Sequence, residues 1–285
     1  MPAGLVLAAA LLIGAAPAAP PERPVLASYD VVESTRTVTP AGERTRGTSG
    51  SVTVAGGRAR WELPHGSFPR SSASVAIADG ALVTLLDPKE RIAASATADD
   101  FTALFLGRPA TEGSAAASLR DIAVHLAPDG KGRVLDGRPT SKYLLEARWT
   151  LVLMTTGRVA RVTTEIKGVI ETVDEPAARS PFDDLARLVP ARAEAAEALD
   201  AELAKLPGLP VSAALDVTSK VVSEQAGMPS GTEPPPKPAE ARQTITRRLS
   251  NLVVRKGSAS DDALFAIPPD FHSRGLDRIA PGDAP

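Results

Sequence analysis

The sequence predicts an α+β fold: an antiparallel β-sheet with one apolar face, covered on that face by helices. Three observations predict it. Apolar and polar residues alternate with period 2 in several segments, Asp-Gly and Gly-Gly turn signals separate those segments, and the stretch 181–206 carries apolar residues at helical spacing. Strands that are apolar on one face and polar on the other belong to an antiparallel sheet covered on a single side, because a parallel sheet is buried on both.

The chain opens on Met1 to Ala19, which contains no charged side chain and runs through Leu5-Val6-Leu7-Ala8-Ala9-Ala10-Leu11-Leu12-Ile13. That apolar run is shorter than the roughly 20 residues needed to cross a hydrocarbon core, and Pro17, Pro20 and Pro21 end it. Ala16 and Ala18 form the small-residue pattern cut by signal peptidase, so residues 1–18 are expected to be a signal peptide cleaved after Ala18, although no Lys or Arg precedes the run. The expected location is periplasmic or secreted, with no membrane span once the signal is removed.

Strands follow near 25–38 and 47–55. Ala59, Trp61 and Leu63 then alternate with Arg58, Arg60 and Glu62, and further strands are expected at 73–86 and 120–126. The clearest alternation places Tyr143, Leu145, Ala147, Trp149, Leu151 and Leu153 on one face, with Glu146, Arg148 and Thr150 on the other. Val162, Thr164, Ile166 and Ile170 repeat it, as do Val211, Ala213, Leu215, Val217 and Val221. A last strand at 243–255 breaks its pattern at Arg247, read as a bulge. Turns are expected at Ala55-Gly56-Gly57, Asp79-Gly80, Asp87-Pro88-Lys89-Glu90, Pro128-Asp129-Gly130 and Asp136-Gly137.

Two helices are expected. The longer, Pro181 to Leu206, aligns Leu185, Leu188, Ala196, Leu199, Leu203 and Leu206 in one stripe, carries Asp183 and Asp184 at its positive end, and stops at Pro207-Gly208. The shorter, Asp99 to Gly107, offers Phe101, Leu104 and Phe105, with Asp99 as N-cap. About 265 residues after the signal are read as one domain over 24–273, with a Pro-rich loop at 226–239 and a flexible tail at 274–285. Pro235 and Pro238 stand in a P-x-x-P frame, whose sharper reading is a docking motif.

The chain contains no cysteine, which removes disulfides, thiolate chemistry and lipid attachment through cysteine. Its 32 basic and 34 acidic residues leave no global field for nucleic acid or anionic membrane. His65, His125 and His272 stand alone, without a second ligand at helical spacing, so no metal and no cofactor is expected. Asp99-Asp100 and Asp261-Asp262 read as caps and turns rather than as a glycosidase-like acid and base. Gly130-Lys131-Gly132 lacks the rest of a phosphate loop, and Gly47-Thr48-Ser49-Gly50-Ser51 has the wrong order for a nucleophile elbow. No enzyme is expected. The aromatic residues on apolar faces point instead to a hollow between sheet and helices, lined by Trp61, Phe101, Leu104, Phe105, Tyr143, Leu145, Trp149 and Leu151.

Four segments resemble uncharacterised secreted bacterial proteins related to the outer-membrane lipoprotein carrier family. They are Ala81-Leu82-Val83-Thr84-Leu85-Leu86-Asp87-Pro88-Lys89-Glu90-Arg91-Ile92, the run Leu135 to Tyr143, Leu206-Pro207-Gly208-Leu209-Pro210-Val211, and the ending Asp262 to Phe271. The resemblance implies a curved antiparallel half-barrel with helices over its concave face, holding a lipid, an acyl chain or a lipidated protein or peptide without covalent chemistry. The first functional expectation is therefore an extracytoplasmic binder of an apolar ligand. The second is a structural or interaction module of the cell envelope, with a filled core and a protein partner at a strand edge or the Pro-rich loop. A hydrolase assembled from His65, His125 or His272 with a distant Ser and Asp comes last.

Overall fold

The computed structural model describes residues 24–66, 68, 71–98, 100–101, 116–155, 158–189, 191–225 and 239–279. The expected signal peptide and all of the Pro-rich loop except Ala239 lie outside them. Twelve strands form one sheet: β1 (Val25–Thr39), β2 (Gly42–Ala55), β3 (Arg58–Glu62), β4 (Val75–Asp79), β5 (Leu82–Asp87), β6 (Ile92–Thr97), β7 (Ala116–Leu135), β8 (Arg138–Thr155), β9 (Arg158–Val173), β10 (Leu209–Gln225), β11 (Ala239–Lys256) and β12 (His272–Ser273). Their spatial order is β12-β6-β5-β4-β3-β2-β1-β11-β10-β9-β8-β7. Two meanders, β1 to β6 and β7 to β11, are thus joined where β1 pairs with β11, and all neighbours are antiparallel except β12 with β6.

The hairpins follow their turn chemistry. Gly56 and Gly57 have φ of 58° and 81°, and Asp136 and Gly137 have 47° and 80°. Two successive left-handed residues make the tight turn whose twist matches antiparallel strands. The bulge expected at Arg247 lies elsewhere. Ser28 faces Val253 and Asp30 faces Ser250, so the extra residue is in the Asn251–Leu252 step, where Asn251 has φ 56°. Asp30 accepts from Asn251 Nδ2 at 2.7 Å, and Asp136 accepts the N–H of Leu252 at 2.8 Å. Arg247 itself stays in alternation and faces the core.

The fold class is corrected to all-β. Described helix amounts to α1 (Ala193–Leu203), short 3-10 turns, and the helical residues Ala98, Asp100 and Phe101. The single helix expected over 181–206 divides into 3-10 turns at Pro181–Asp183 and Ala186–Leu188, then α1. Pro190 stands between them in the sequence, where a proline cannot donate to a helix and turns its predecessor away from helical geometry. Val189 accordingly ends the second turn in extended conformation. At the other end Gly208 has φ 65°, and a Cβ there would stand 2.0 Å from the carbonyl oxygen of Val173. Only glycine lets the chain leave α1 and enter β10.

Three clusters form the core. Ala27, Tyr29, Val31, Val52, Trp61, Phe68, Phe101 and Phe182 join on one face of β1 to β5. Leu145, Trp149, Ile166, Ile170 and Leu215 pack under α1 on the same face, and Leu199 of α1 is fully buried. On the opposite face, the 3-10 turn Ala259–Phe265 seats Phe265 against Leu26, Ile77 and Leu86. Strands β4 and β5 are therefore covered on both sides, which departs from the one-sided expectation. Within 274–285, Ile279 is buried and its carbonyl accepts from the Ser72 N–H at 3.0 Å.

Candidate functional site: the sheet face beneath α1

The face of the sheet that packs against α1 divides in two along the strands. At the proximal half, around β3 to β6 and α1, the space above the sheet is filled by the protein. Trp61 meets Phe68 edge-on at 5.1 Å and Phe182 at 5.5 Å, while Phe101 lies 6.0 Å from Phe68 and 6.1 Å from Phe182. The Arg187 guanidinium sits 5.3 Å over the Trp61 ring. Such offset and edge contacts add to the burial of each ring, and they leave this part of the face to its own side chains.

Between the two clusters runs a buried ionic network that the sequence reading missed. Arg247, 2% exposed, donates through Nε to Glu33 at 3.1 Å, through one terminal nitrogen to the Pro210 carbonyl at 3.3 Å, and through the other to Asp183. Arg187 forks onto the same Glu33 and donates to the Phe182 carbonyl at 3.0 Å. Tyr29 Oη and the Ser180 N–H both donate to Asp183 Oδ2 at 2.7 Å. Two guanidinium groups thus balance two carboxylates. Burial alone would lower the pKa of Arg247, but the Asp183 and Glu33 charges outweigh it and hold it above its ordinary value. Burial, then the Asp183 charge, pushes the Tyr29 phenol well above its usual range, so it is a permanent donor. The visible signals were two charged residues at core-facing strand positions, Glu33 after Ala27, Tyr29 and Val31, and Arg247 between Ile245 and Leu249.

Beside this network a cavity of about 300 Å³ opens at the foot of α1, lined by Arg179, Asp183, Asp184, Leu185, Asp200 and Leu206 among others. Asp183 is spent on Tyr29, Ser180 and Arg247, and Asp184 accepts the Ala186 N–H at 2.9 Å. Neither is set up as a base. No cluster of three or more His, Cys, Asp or Glu suited to a metal occurs among the described residues. The paired aspartates serve local structure. Asp261 caps its 3-10 turn by accepting from the Ser258 N–H and holds Arg255, which pulls its carboxyl well below the usual range. The Asp100 N–H donates to Thr97 Oγ1 at 3.1 Å, so Thr97 performs the capping expected of Asp99.

Beyond the filled half, β1, β2 and β7 to β11 run on to a distal end. Directly opposed residues of antiparallel strands share a face, so the register assigns the distal part of this face. From β7 to β2 it presents Leu119, Leu151 with Leu153, Val162, Val221, Gln243, Thr35 with Thr37, and Arg44 with Arg46. The eight positions through Thr37 are half-buried, and both arginines are exposed. No acidic side chain among the described residues pairs with Arg44 or Arg46.

The residues expected to line a hollow are separated. Trp61 and Phe101 belong to the first cluster, and Leu145, Trp149 and the partly buried Tyr143 to the second. Leu151 lies on the distal surface, and Leu104 and Phe105 lie outside the described residues.

Both sheet edges are partly blocked. β7 carries register shifts between Arg120 and Ala123 and again between Pro128 and Val134, and Glu202 of α1 accepts a backbone N–H of Leu126. β6 is covered by β12, with the His272 and Arg274 N–H groups on the Arg91 and Ala93 carbonyls. Bulges, proline and covering segments are the devices that keep an edge from pairing with another chain.

No protein-family model matches the chain, and no curated protein matches it. Among solved structures, it is similar to Neisserial surface protein A, at 8% identity over 78% of this chain and 96% of that one, with a TM-score of 0.12. It is also similar to the attachment invasion locus protein of Yersinia pestis, solved with the heparin analogue sucrose octasulfate, at 6% identity over 80% and 98% of the two chains, with a TM-score of 0.10. Scores this low establish no common fold. The resemblance to lipoprotein carriers is corrected, and with it the lipid-binding, carrier-like half-barrel it implied: the described residues form one 12-stranded sheet that is nearly all β, not a sheet covered by helices.

Proposed function

We propose that the chain is a non-catalytic, extracytoplasmic interaction module of the cell envelope, whose distal sheet face on the α1 side receives a segment of a partner protein. The signal-like residues 1–18 support the compartment. The observation that carries the rest is the half-buried strip Leu151, Leu153, Val162 and Val221, which continues the apolar face past the core clusters formed by the described residues. Contiguous apolar surface rimmed by polar residues marks interaction sites. Blocked edges favour the face over strand addition as the mode of contact.

Site-specific photo-crosslinking in intact envelopes tests this reading. A photoreactive residue at Leu153 is expected to give one discrete protein adduct that disappears in the Leu151→Asp background. The same residue at Arg248, on the opposite face, is expected to give none. Adducts to lipid alone, or equal labelling from both positions, contradict it.

A further inference from the structure

We infer that the partner segment is amphiphilic, with an apolar part followed by an acidic part; this rests on the distal face being the docking surface. The face is graded in one direction. Leucines on β7 and β8 give way to Val162 and Val221, then to Gln243, Thr35 and Thr37, and finally to the unpaired Arg44 and Arg46 on β2. The six strand spacings from β7 to β2 span about 29 Å, the reach of about nine extended residues. Charge complementarity selects the chemistry at the far end: two exposed guanidinium groups on this face favour carboxylates and disfavour cations.

Two labelled nine-residue peptides titrated against the purified chain by fluorescence anisotropy test this. One carries Leu and Val followed by Asp and Glu, and the other replaces the acidic residues by Lys. The acidic peptide is expected to bind about tenfold more tightly at low salt. That advantage disappears in the Arg44→Ala/Arg46→Ala variant and fades at about 1 M salt, while Leu153→Asp weakens both peptides. Equal binding of both peptides, still sensitive to Leu153→Asp, overturns the acidic assignment and leaves the docking face standing. Failure of both peptides, with binding of anionic phospholipid vesicles instead, overturns the assignment and the docking reading together.

Discussion

Arg247 shows how one residue decides the architecture of a strand. Its guanidinium occupies an apolar-facing position that alternation reserves for a residue like Ile245 or Leu249, and Glu33 and Asp183 make that tolerable. Removing one member of a buried ionic network leaves an uncompensated charge, which costs about 3–5 kcal/mol. Arg247→Met is therefore expected to lower the urea midpoint sharply. Tyr29→Phe removes only the phenol donor to Asp183 and costs about 1–3 kcal/mol in the same measurement. The anomaly at Arg247 was legible in the sequence, but its explanation was not. Its partners lie 214 and 64 residues away in the chain, and no local pattern joins them.

Elements were more legible than residues. The strand around Tyr143 to Leu153, the hairpin turns at Gly56-Gly57 and Asp136-Gly137, and the Asp87 turn, where the Lys89 and Glu90 N–H groups donate to Asp87 at 3.0 and 3.1 Å, all follow local chemistry. The expectation over 181–206 weighed leucine spacing above Pro190, so it merged two 3-10 turns and α1 into one helix. Within α1, Leu199 packs under no exposure, and Leu199→Ala is expected to cost about 2–5 kcal/mol by chemical denaturation. The 3-10 turn Ala259–Phe265 gives a pH prediction. Its Asp261 carboxyl is held below the unfolded value of about 3.9, so its contribution is complete above that value and is lost as pH falls toward the folded one. Melting of wild type and Asp261→Asn should differ at pH 7 and converge in strong acid. A gap that persists unchanged there refutes the assignment.

At the scale of the whole molecule, two meanders joined by the β1–β11 pair produce one sheet whose near half is filled and whose far half is graded from apolar to basic. The antiparallel sheet was legible because one-sided strands announce themselves. The burial of β4 and β5 on both faces was not, because the covering turn at 259–265 is recruited from distant sequence. Leu151→Asp and Leu153→Asp replace half-buried side chains past the core, so each is expected to change stability by about 1 kcal/mol, while Leu151→Asp abolishes the adduct formed from position 153. Loss of folding by either variant would place the strip inside the core instead. The most direct measurement is native mass spectrometry of the protein purified from its own envelope. The filled near half and the protein-docking far half predict the bare polypeptide mass, with any further species being a protein complex. A stoichiometric small apolar ligand retained on the chain would contradict both.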